Sequence, residues 1–147
     1  MLYLYIFLAV IAGVAVTLQV GVNSSLRFSL NSPVYAAFFS FAIGTVGLLA
    51  YALVTRAPWP TMQNIVKVPA WAWLGGLLGA YYVVTTIVAA PKLGAASLIS
   101  LVVTTQLCTS LILDHYGLIG FAQHSINMWR VLGALLLIAG VVLIVRN

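Results

Sequence analysis

The side chains of this 147-residue chain that could do chemistry are few, and most are uncharged amides and hydroxyls set among apolar residues. Gln19 and Asn23 lie four positions apart, which on a helix places both on one face. Further along, Gln106, Ser110 and Asp114 recur every fourth residue, in a stretch that also holds Ser97, Ser100, Thr104, Thr105 and Thr109. A polar load of this kind inside an apolar run must face protein or water. Amides do not titrate, but they donate and accept hydrogen bonds at once and so can orient a bound solute. Tyr82 and Thr86 repeat the same spacing and could line the wall of a cavity. A competing reading is that all of these groups only bond one helix to the next.

Asp114 is the single acid. As a working group it would couple solute movement to a proton or cation, which needs burial to bring its pKa toward neutrality. Its plainer role is a carboxylate at a helix end, paired with His115, Lys92 or Arg130. Other patterns exclude chemistry. His115 and His124 are nine positions apart with no cysteine or second carboxylate nearby, a poor basis for a metal site. Cys108, the one cysteine, sits in an apolar run and reads as a small core residue, with no intrachain disulfide or thiolate cluster available to it. No catalytic triad, glycine-rich phosphate loop or carboxylate pair is present, so neither an enzyme nor a cofactor is expected.

The elements that position these residues follow from composition. With 64% hydrophobic and 5% charged residues, a water-soluble domain would expose apolar surface it had no polar groups to cover. Lipid is therefore the solvent. Apolar stretches run over residues 2–21, 33–54, 70–90, 93–113 and 131–145. A crossing takes about 20 residues, so five transmembrane helices fill the chain as a single domain, 1–147. Their expected spans are about 2–26, 33–55, 70–90, 93–114 and 128–146, the last starting early with Asn127 as its cap. The first lacks a basic leader and reads as a retained helix rather than a cleaved signal. Breaks fall at Asn31-Ser32-Pro33 and at residues 90–94, around Pro91 and Gly94. Between the second and third stretches, Pro58, Pro60 and Pro69 bracket a short segment, and Trp59, Trp71 and Trp73 there suit the headgroup level. Gly75, Gly76 and Gly79 permit close packing, and Gly133 and Gly140, seven apart, mark a packing or dimer stripe on the last helix.

The formal charge of +5 comes from six scattered bases against one acid. Single flanking bases suit a bilayer and not a nucleic acid, which would need a cluster. With five helices, Arg56, Lys67 and Arg130 fall on the N-terminal side of the membrane, and Arg27, Lys92 and Arg146 on the other. Orientation follows the excess of Lys and Arg, and here there is none. The expectation is either insertion in both directions with pairing of inverted copies, or pairing with a paralogous five-helix partner of opposite bias; the competing reading is a chance balance in a protein oriented by other means. Inverted pairs place a solute site at mid-membrane and let it face either side in turn.

Nearly the whole chain resembles the YdcZ family, the short five-helix members of the drug/metabolite transporter superfamily. The resemblance is carried by Gln19 with Asn23-Ser24-Ser25-Leu26, Ser32-Pro33 with Phe41 and Gly44-Thr45, and Trp73-Leu74-Gly75-Gly76-Leu77-Leu78-Gly79-Ala80. It continues in Pro91-Lys92-Leu93-Gly94-Ala95-Ala96, Gln106 with Ser110, Asp114-His115-Tyr116-Gly117, and Arg130 with Gly133. It implies an all-α unit that is half of a ten-helix, inverted-repeat transporter, moving small metabolites or drugs as a pair. The last helix also resembles the glycine-heptad dimerisation helix of small multidrug resistance proteins. Those carry a membrane-buried Glu in their first helix where this chain offers only Gln19 and Asn23, so their proton exchange does not carry over. The resulting expectation is a transporter subunit of an inner or plasma membrane, working by alternating access as an antiparallel homodimer. Gln19, Asn23, Tyr82, Thr86, Gln106 and Ser110 contact solute, Asp114 is the candidate for coupling, and Gly133 and Gly140 pack the dimer. The rivals are a non-transporting scaffold and a channel.

Overall fold

A computed structural model describes Leu2–Arg146; Met1 and Asn147, the ends of the span read from the sequence, lie outside the described residues. The described residues are mostly helical, with no strand among them. The long helices are α1 (Leu2–Leu30), α2 (Pro33–Val54), α4 (Leu74–Leu93), α5 (Ala95–Tyr116) and α6 (Met128–Arg146), and a short α3 (Met62–Val66) lies between α2 and α4. Five segments are long and apolar enough to cross a bilayer, the third taking in the 3-10 turn Ala70–Trp73 that precedes α4. Between 6% and 17% of each candidate span is buried within the chain. Most side chains therefore point outward, as lipid-facing or partner-facing positions do, and the chain is an integral membrane protein.

Local chemistry explains the boundaries. α1 runs four residues past the expected end at 26, because Ser24 and Ser25 are polar without breaking a helix. The break comes at Asn31, whose φ of 50° is the left-handed conformation asparagine tolerates. Ser32 then caps α2, its hydroxyl accepting the Tyr35 N–H at 3.3 Å, with Pro33 in the first turn, where no helical donor is lost. α4 was expected to stop near 90, yet it continues through Pro91 to Leu93. Proline this close to a helix end removes a single hydrogen bond, the one its N–H would have made to the Ile87 carbonyl. That carbonyl is not orphaned: the Arg27 guanidinium of α1 donates to it at 3.1 Å. Gly94, at φ 78°, then takes a conformation that a side chain would strain.

The chain clusters into two compact units that divide between Lys92 and Leu93. In the first, Ala36 and Ala37 of α2 pack against Val83 and Ile87 of α4, with Leu26 of α1 and Tyr82 and Val84 at the edge. Small residues on one side face branched ones on the other, which fill the space between them. A Cβ placed on Gly79 would lie 3.6 Å from the Phe41 ring, whereas Gly75 and Gly76 have nothing within 4 Å of one. In the second unit α5 and α6 pack on each other. Gly117 ends α5 at φ 62°, and Asn127 caps α6, its side-chain oxygen accepting the Arg130 N–H at 2.9 Å.

Candidate functional site

Polar side chains in these helices divide into two kinds. The hydroxyls of Thr17, Thr45, Thr86, Ser100, Thr105 and Ser110 each donate to a carbonyl three or four residues earlier in their own helix, at 2.9 or 3.0 Å. Each of these six hydroxyls reaches its own backbone and so is satisfied locally. The amides of Gln19, Asn23 and Gln106 make no hydrogen bond among the described residues. Thr86 and Ser110 therefore keep only acceptor capacity, while the amides keep both donors and acceptors.

Gln19 lines an open groove of about 480 Å³ between α1 and α2, together with Ser40, Phe41, Gly44, Thr45, Gly47 and Leu48. One turn further along α1, Asn23 is 3% exposed. Ser24 beside it has a buried hydroxyl oxygen without a hydrogen-bond partner. Arg27 follows on the same stripe as Gln19 and Asn23, half-buried and held by the Ile87 carbonyl. On α4, Tyr82 is half-buried at the edge of the core and Thr86 is buried. A second groove, of about 430 Å³, runs between α2 and α4, lined mainly by apolar residues, Val34, Ala37, Phe38 and Val84 among them, with Thr45 the one hydroxyl.

In the second unit Gln106 is exposed and Ser110 half-buried on α5. Asp114, at the end of that helix, pairs with Arg130 at 3.4 Å, with a quarter of its side chain exposed. The same corner is tied by further bonds: the Asp114 carbonyl accepts the His124 N–H at 2.8 Å, and Arg130 donates to the His124 carbonyl at 3.2 Å. Ile126 N–H donates to His115 Nδ1 at 3.3 Å, and Gln123 donates to the His115 carbonyl at 3.1 Å. Both histidine residues thus serve the loop, through ring and backbone. No three of His, Cys, Asp and Glu come together among the described residues. Gly133 and Gly140 on α6 have nothing within 4 Å of an added Cβ, so their open stripe meets no neighbour within the described chain.

Sequence reasoning passed over Arg27, counting it only for orientation, and also Ser40 and Thr45 in the groove. Its signal was available: Arg27 continues the spacing of Gln19 and Asn23, and no acid remains to pair with it once Asp114 is taken.

Comparison with known proteins gives one match. A family model described as "Putative inner membrane exporter, YdcZ" covers residues 4–143. No curated protein and no solved structure matches the chain.

Proposed function

The chain belongs to the YdcZ family and is an integral inner membrane protein with a transporter role, and from that premise we propose that it moves a small metabolite or drug-like solute by alternating access. The observation that supports this reading best is Gln19: a membrane-spanning helix turns an amide with no bonding partner among the described residues into a groove large enough for a small molecule. An amide left unbonded in an apolar setting costs free energy, and a polar solute or water would recover it.

In this reading Gln19 and Asn23 supply donors and acceptors to the solute, while Tyr82 and Thr86 contribute wall and acceptor. Gln106 and Ser110 offer a further polar stripe on α5. Asp114 is the candidate for coupling; its ion pair with Arg130 would have to open for the carboxylate to take up a proton or cation. The working unit is a pair of oppositely inserted copies, or this chain with a paralogous five-helix partner, packed along the open glycine stripe of Gly133 and Gly140.

The test is flux into proteoliposomes, measured across a panel of labelled amines, carboxylates and neutral amides. Saturable flux of at least one class is expected, and Gln19→Ala and Gln106→Ala should each reduce its kcat/KM about tenfold, the worth of one or two lost hydrogen bonds. Unchanged flux with lost assembly would identify a scaffold, and flux that rises without saturation would identify a channel.

A further inference from the structure

Asn23, Ser24 and Arg27 form one cluster on α1. Asn23 and Arg27 are four residues apart and Ser24 and Arg27 three, so Arg27 is a surface neighbour of both, within about 6 Å along the helix axis. The Asn23 residue is 3% exposed and its amide makes no hydrogen bond among the described residues. The Ser24 hydroxyl oxygen is buried and unpartnered. Buried polar groups are almost always satisfied, so the open Ser24 hydroxyl, next to an amide without a hydrogen bond, points to an occupant.

Arg27 decides what the occupant is. It carries a permanent charge in a chain with one acid, and that acid is bound to Arg130. One of its nitrogens is fixed on the Ile87 carbonyl, which the proline at 91 leaves without a helical donor. The guanidinium is thereby held half-buried against α4 instead of extending freely to the membrane surface, and its other N–H groups make no hydrogen bond among the described residues. A fixed, uncompensated guanidinium flanked by an amide and a hydroxyl is a donor set for an oxyanion.

We propose that Asn23, Ser24 and Arg27 bind the carboxylate, or an equivalent oxyanion, of the transported solute, which makes the substrate a small organic anion or zwitterion. This rests on the transporter reading and adds to it the chemical class of the cargo. A phospholipid phosphate offers the same chemistry, so the test must separate the two sources.

Full-length protein in neutral detergent is titrated with butyrate, with its neutral isostere butyramide, and with phosphatidylglycerol, following thermal unfolding. Butyrate should stabilise the protein and butyramide should not. Arg27→Gln should weaken the butyrate effect about tenfold or more, as expected for a charged hydrogen bond, with Arg27→Lys weakened less. Asn23→Ala and Ser24→Ala leave the Arg27 anchor in place, serve if Arg27→Gln does not fold, and should each weaken butyrate several-fold. Equal response to butyrate and butyramide, an effect indifferent to all four substitutions, or Arg27-dependent stabilisation by phosphatidylglycerol alone would overturn the proposal. In the proteoliposome panel, saturable flux confined to amines or neutral solutes defeats this inference and leaves the transporter reading standing. Absence of saturable flux for every class defeats that reading itself.

Discussion

Asp114 and Arg130 carry opposite demands. An exposed or half-exposed ion pair is worth at most about 1 kcal/mol, so Asp114→Asn should lower stability by less than that. Its local effect should be larger, because Arg130 also holds the His124 carbonyl and the loop after α5 depends on that corner. Amide exchange across residues 117–127 is expected to quicken in the variant while exchange in α5 and α6 stays slow. Flux lost without faster loop exchange would instead assign Asp114 to coupling. At the same scale, Thr86 illustrates how hydroxyl and amide differ: its proton is committed to the Val83 carbonyl at 2.9 Å, so a solute meets only its lone pairs.

Between helices the first unit is governed by small residues at the contact. Gly79 is the glycine of α4 whose absent side chain matters, since a Cβ there meets the Phe41 ring at ordinary van der Waals distance. Gly79→Ala should therefore be nearly neutral. Gly79→Leu should destabilise by about 1–3 kcal/mol through overpacking, read as a drop in the unfolding temperature in detergent. The same substitution at Gly76 should be tolerated, because the space beside it is open. Pro91 works at this scale too. It removes one bond from the ladder of α4, and the freed Ile87 carbonyl becomes the anchor that ties α1 to α4 through Arg27.

For the molecule as a whole, the balance of flanking bases carries the sharpest consequence. Arg56, Lys67 and Arg130 oppose Arg27, Lys92 and Arg146, leaving no excess to direct insertion. Paired C-terminal reporters, one active only inside the membrane and one only outside, are expected to give signal in both states. Three lysines added near one set of helix ends should abolish one of the two signals. A single fixed orientation in the unaltered chain would rule out the antiparallel homodimer and require a second polypeptide.

The five spans, their apolar faces and most of their ends were legible in the residues, because the cost of unsatisfied backbone in lipid compels helices and because Ser32-Pro33, Gly117 and Asn127 act on their nearest neighbours. Periodicity also put Gln19 and Asn23 on one face, since a shared face is a property of one helix. Tertiary structure alone decided which polar groups are consumed and which remain open. The Thr86 hydroxyl turned back on its helix, Asp114 met Arg130, and Arg27 reached sixty residues along the chain to a carbonyl freed by Pro91. Spacing along one helix fixes direction, but whether a donor finds an acceptor depends on what another helix brings within 3.5 Å, and that information lies in packing.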